Sequence, residues 1–176
     1  MFKTIAAAGS AAILAAVAAG LVGPLAPAAR ANDDGFVTYK ALTVDTALKA
    51  ATAAMESCRG AGFQVTVAVV DRGGNLQVLL RDRFAGPLTP DTARGKARTA
   101  VSFRTDTLDL VSVTAAGAPQ SGARHIPGAI MLGGGVVIES AGAIVGGMGV
   151  SGAPSGPNDH ACAKAGLNAI ADTLAF

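Results

Sequence analysis

The chain reads as an α+β domain in which about five antiparallel strands carry packed helices, in the order α-β-β-α-α-β-β-β-α. Three observations predict this. Apolar residues recur at spacings of three and four near the start of the domain, the mark of an amphipathic helix. Between them lie short β-branched runs. Consecutive strands are joined by turns of only a few residues, which favours antiparallel pairing with helices laid on the sheet. The strand–helix alternation of a doubly wound nucleotide fold is missing.

Taken in order, Thr43 can cap a helix running to about Arg59, with Val44, Leu48, Ala51, Met55 and Cys58 on its apolar face and Gly60 and Gly62 ending it. Phe63 to Asp71 reads as a strand, Arg72-Gly73-Gly74-Asn75 as a turn and Leu76 to Arg81 as the returning strand of a hairpin. Pro87 and Pro90 mark a loop. Thr89 or Asp91 is expected to cap a helix over Thr92–Phe103, followed by a short helical piece from Asp106 to Val113. Residues 114–128 read as a surface loop rich in Gly, Ala, Ser and Pro. Three short strands are expected next, Ala129–Leu132, Val136–Glu139 and Ala143–Val150, with Gly133-Gly134-Gly135 and Ala141-Gly142 as turns. After a second Gly/Pro loop, Asn158 or Asp159 caps a last helix ending near Leu174.

The first 31 residues stand apart from this pattern. Lys3 precedes an apolar run from Ile5 to Val22, Pro24 and Pro27 break it, and Ala29-Arg30-Ala31 offers small residues where a signal peptidase cuts. The expectation is a signal peptide over 1–31, a leader over 32–41, a single domain over 42–176, and a periplasmic or secreted product. An uncleaved anchor is the alternative, although the many Ala residues give the run low hydrophobicity for a bilayer span. Of the chain's 14 Lys plus Arg, Lys3 and Arg30 leave with the signal, so the mature chain holds twelve cations against 12 Asp plus Glu. A neutral chain lacks the basic surplus that nucleic-acid binding needs. Cys58 and Cys162 are either a disulfide, as an oxidising compartment permits, or two buried thiols.

Four segments, in order and spacing, resemble one family. They are Ala68-Val69-Val70-Asp71-Arg72-Gly73-Gly74-Asn75-Leu76, Thr92-Ala93-Arg94-Gly95-Lys96-Ala97-Arg98-Thr99-Ala100, Gly146-Gly147-Met148-Gly149-Val150-Ser151-Gly152 and Asp159-His160-Ala161-Cys162-Ala163-Lys164-Ala165-Gly166. Together they are similar to the GlcG/HbpS-like haem-binding family, across about residues 42–176. The resemblance implies an α/β/α domain with a five-stranded antiparallel sheet, assembly into homo-oligomers, and haem as the cofactor. Two departures stand out. Arg83 and Phe84 follow Arg81-Asp82 where relatives often carry Asp-Gly, and His160 stands where a Glu is usual.

Given that resemblance, Lys96, Arg98 and Thr99 on one helix are candidate haem contacts, the two cations for propionates and the hydroxyl as a weak ligand. A solvated helix edge is the plainer account. His125 and His160, the two histidines, are candidate iron or metal ligands, or ordinary surface residues. Met131 and Met148 read as core. Asp71 reads as a turn-forming carboxylate. The Gly-rich stretches fit neither a P-loop nor a dinucleotide fingerprint, and Ser151 does not sit in a nucleophile elbow. The expected function is exported haem binding, in sensing or storage of haem or iron. The alternatives are haem degradation in the same pocket, or a cofactor-free oligomer that partners a membrane sensor.

Overall fold

In the computed structural model Thr43 opens the first helix, α1 (Val44–Gly60), its hydroxyl accepting the Thr46 N–H at 3.2 Å. This is the N-cap that the sequence predicts. Ala47, Ala50, Ala51, Ala54, Met55 and Cys58 form the buried face of α1. The structure describes residues 35–175, so the expected signal peptide and the start of the leader lie outside the described residues. Residues from Tyr39 onward make up one unit with its own core.

The hairpin follows as β1 (Thr66–Asp71) and β2 (Leu76–Arg81). Its turn is built by Asp71, whose carboxylate accepts the Gly73 and Asn75 N–H groups, each at 2.8 Å, and the Asn75 side chain. Those bonds, the Asn75 side chain first, hold the Asp71 carboxyl below its ordinary pKa. Then come α2 (Thr89–Phe103), α3 (Thr107–Val113), β3 (Gly135–Ser140), β4 (Ala143–Ser151), α4 (Gly156–Asn168) and the short α5 (Ala171–Leu174). The sheet has four strands, all antiparallel, in the order β2-β1-β4-β3.

The two faces of this sheet are packed differently. Val67 and Val69 of β1 and Met148 and Val150 of β4 join Met55, Cys58 and Cys162 in an apolar core beneath α1 and α4. On the opposite face β4 offers Gly147 and Gly149, and β3 offers Gly135. Here the α2 backbone lies directly on the sheet. A β-carbon at Gly149 would fall 2.0 Å from Ala93 O, and one at Gly135 would fall 2.4 Å from Lys96 O. The glycines are therefore seats for a helix, with Ala93, Ala97 and Ala100 as its small inward residues.

Several boundaries differ from expectation. Ala129–Leu132 is not a strand; the Ile130 N–H is taken by Thr99 Oγ1 at 2.8 Å, and the segment becomes a strap across α2. A β-carbon on Gly95 would lie 2.5 Å from Ile130, so the strap sits as tightly as the helix does. Helix α2 starts at Thr89, with Pro90 in its first turn where a missing N–H is harmless. Neither Thr89 nor Asp91 caps it; Leu88 occupies the cap position without a side-chain bond. Ser155 caps α4 in place of Asn158 or Asp159, and that helix ends at Asn168, with α5 separate. Cys58 and Cys162 are joined, Cα–Cα 5.5 Å apart, tying α1 to α4.

Two stability outcomes follow. Gly149→Ala must lift α2 from the sheet, and urea titration should show a loss at or above the upper end of about 1–3 kcal/mol. Cys58→Ala with Cys162→Ala should lower stability by about 2–5 kcal/mol, because the bridge closes a separation of 104 residues; equal midpoints for the oxidised and doubly substituted proteins would count against that role.

Candidate functional site

Lys96 lies on the inward face of α2 and is almost wholly buried. Its ammonium passes the start of β3 and reaches the other helical layer, where it donates to Asp159 Oδ2 at 2.7 Å and to Val150 O at 2.9 Å. The path exists because residue 134 is glycine at φ +115°. A β-carbon there would meet Asp159 Cβ at 2.6 Å and Lys96 Nζ at 3.0 Å. Asp159 Oδ1 also accepts the Ala153 N–H at 2.9 Å. Burial pushes the Asp159 carboxyl above its ordinary pKa, against the opposing pull of Lys96.

The neighbouring cluster gathers at the N-terminus of α3. Asp106 Oδ1 accepts the Val137 N–H at 2.8 Å. Its Oδ2 lies 3.6 Å from Lys164 Nζ and 4.0 Å from His160 Nε2. Thr107 Oγ1 accepts the Gly135 N–H at 2.7 Å. Together Asp106 and Thr107 occupy the outward N–H groups of edge strand β3, which blunts that edge. His160 is mostly buried, and its Nδ1 has no protein partner.

The five candidates thus separate. Lys96 faces inward and is committed to an ion pair, which leaves it no path to a propionate at the surface. Thr99 is also buried; its hydroxyl donates to Gly95 O and holds the Ile130 strap. Arg98 is exposed and lies over the β1–β2 turn, its side chain 3.5 Å from where a Gly74 β-carbon would be. His160 belongs to the Asp106 cluster. His125 is exposed at the end of a 3-10 turn, Ser121–His125. That turn is fixed by Arg124, which donates to Thr114 O and, at 2.9 Å, to Val111 O. Met131 and Met148 are core residues, as expected. Among the described residues no three His, Cys, Asp or Glu side chains gather as a metal centre.

The partners Asp159 and Asp106 were not singled out by sequence. For Lys96 a signal was present: it sits three or four residues from Ala93 and Ala100 on the apolar face of α2, where a cation needs a buried counter-charge.

A family model described as haem degrading protein HbpS-like matches residues 42–168. No curated protein matches the sequence. Among solved structures, a double mutant of HbpS from Streptomyces reticuli is 41% identical, with a TM-score of 0.73 over 82% of this chain and 97% of that one. A PduOC–haem complex is 29% identical, with a TM-score of 0.69 over 74% and 96% of the two chains. The ORFY protein of Klebsiella pneumoniae is 25% identical, with a TM-score of 0.74 over 77% and 94%.

The buried pair sets a test. Asp159→Asn keeps an acceptor for Ala153 but leaves an ammonium buried without counter-charge; Lys96→Met leaves the carboxylate in the same state. Each should cost about 3–5 kcal/mol in urea titrations, and the double variant far less than their sum. The pH dependence has a definite sign. Folding raises the Asp159 pKa above its ordinary 3.8, so the folded state holds that proton more tightly. Its contribution to stability is full below 3.8, falls as pH rises through the folded value and is level beyond it. Asp159→Asn should remove that slope.

Proposed function

The chain belongs to the HbpS-like family, and on that premise we propose that it is an exported protein that binds haem at its surface. The observation that carries this reading is the placement of His125. Its imidazole is exposed, sits on a turn that Arg124 fixes to α3, and is next to the half-exposed apolar Ile126. Among the described residues no hydrogen bond engages it. Those features fit haem: an available nitrogen for iron, held on a rigid support, beside apolar surface for the macrocycle. The haem complex of PduOC supports the choice of cofactor.

His125 would hold the iron through its imidazole. Arg98, exposed where Lys96 is buried, is the proposed partner for a propionate. Lys96 and Thr99 act from behind as positioning residues, one fixing α2 and the other fixing the strap. His160 stands as a second ligand candidate only if its contact with Asp106 opens. When bound, haem supplies the iron-centred redox chemistry that these side chains lack.

Export is supported by the apolar N-terminal run and by the Cys58–Cys162 bridge, which an oxidising compartment would maintain. Homo-oligomeric assembly, haem or iron sensing or storage, and a membrane sensor partner belong to the same proposal. Haem degradation is the second reading, and the description of the matching family model favours it.

Hemin titration of residues 32–176, followed in the Soret region, tests the reading. Saturable one-to-one binding is expected, abolished in His125→Ala, weakened in Arg98→Ser and retained in His160→Ala. A flat titration with the protein folded would overturn it. Bleaching and iron release on adding peroxide or a reductant would move the assignment to degradation.

A further inference from the structure

The arginines of the mature chain are unevenly spread. Arg72, Arg81, Arg83, Arg94 and Arg98 are all exposed and lie on or beside one feature, the flank where β2 emerges from under α2. The register fixes this placement. Leu79 pairs with Ala68 and Arg81 with Thr66, so these side chains share the face on which α2 lies. Helix α2 is seated on the glycines of β3 and β4 and only grazes the outer strand. Arg98 reaches the hairpin turn, and Arg94 lies one helical turn earlier on the same stripe.

At the end of this flank, the loop from Asp82 to Leu88 holds apolar side chains out in water. Phe84 is 78% exposed and Leu88 77%. The loop is well supported. Asp82 is buried, accepting bonds from Arg59 and from the Val65 N–H, and Ala85 is buried with its carbonyl bonded by Arg81. Two inward anchors therefore leave Arg83, Phe84 and Leu88 on the outside. Asp91, in the first turn of α2, is the exposed acid beside them.

A face-to-face pairing of two copies does not suit this surface, because two arginine faces would repel. An exposed apolar loop with Arg81 and Arg83 beside it, at the end of a flank that carries further arginines, matches a bilayer surface, where apolar groups enter the headgroup boundary and cations meet phosphate. We propose that the loop Asp82–Leu88 and the arginines around it form a peripheral docking surface for membranes bearing anionic phospholipid. The protein lies on the bilayer; no helix among the described residues is long and apolar enough to cross one. The loop Asp82–Leu88 itself holds none of the residues assigned to haem.

Sedimentation of residues 32–176 with vesicles tests this, using equal parts phosphatidylglycerol and phosphatidylcholine against phosphatidylcholine alone. Binding to the anionic vesicles that weakens with salt is expected. Phe84→Ser with Leu88→Ser should reduce partitioning about tenfold or more, and Arg83→Ser with Arg94→Ser by about tenfold. Unchanged thermal unfolding shows that the variants remain folded. Because the chain has no Trp, Phe84→Trp provides a lone reporter whose emission should shift to the blue on anionic vesicles. No sedimentation, equal binding to both vesicle types, or an unshifted emission overturns the proposal. Capture by polyglutamate without binding to vesicles overturns it in favour of an acidic protein partner.

Discussion

The seating of α2 on bare backbone is the constraint from which most of this structure follows. Gly135, Gly147 and Gly149 take away the side chains where the helix crosses two strands, so the helix lies closer there than ordinary side-chain packing allows. In the same strand Met148 and Val150 turn the other way and fill the core under α1 and α4. The alternation of β4 thus sets a close polar-backbone contact on one face against a conventional apolar core on the other. The closeness has a further effect. From this depth the Lys96 ammonium can pass the start of β3 and meet Asp159 in the opposite helical layer.

That ion pair and the disulfide divide the work of joining the layers. The Lys96–Asp159 pair links α2 to α4 across the end of the sheet, and Cys58–Cys162 links α4 to α1. Helix α4 is therefore fastened to both sides. A buried pair is costly to form, since two charges leave water, and its worth as net stability is small. Its value lies in register. Asp159 has one oxygen for Lys96 and one for the Ala153 N–H. The arrangement fixes where α4 begins relative to the end of β4, and it places His160 beside Asp106.

The elements with local chemistry were legible in the sequence. The Thr43 cap, the Asp71-centred turn and both strands of the first hairpin needed only neighbouring residues to specify them, and the family resemblance carried the helix-on-sheet architecture. What was illegible depended on distant partners. Ala129–Leu132 has the composition of a strand, but the Thr99 hydroxyl, thirty-one positions away, takes the Ile130 N–H. The start of α2 is hidden by Pro90, which marks a loop in a sequence yet is well tolerated in the first turn of a helix. At the candidate site, residue types were readable and their directions were not. Lys96, Arg98 and Thr99 lie within four positions of one another, yet one is buried in an ion pair, one holds a strap and one is free in solvent.

The same geometry accounts for where reactive surface remains. Of the two edge strands, β3 is closed by Asp106 and Thr107, whose side chains take the N–H groups that face outward. Strand β2 has no such cover, because α2 is drawn toward the glycines on the far side of β1. Leu76 and Leu79 stay partly exposed, and Arg94 and Arg98 of α2 are exposed as well. On the other flank of α2, the strap held by Thr99 and the turn held by Arg124 present His125. A single displacement of one helix toward one side of the sheet leaves an imidazole-bearing surface beside α3 and a cationic, apolar surface beside β2. Arg98 is common to both readings, so a haem propionate and a lipid phosphate would compete for its guanidinium, and occupancy of one surface bears on the other.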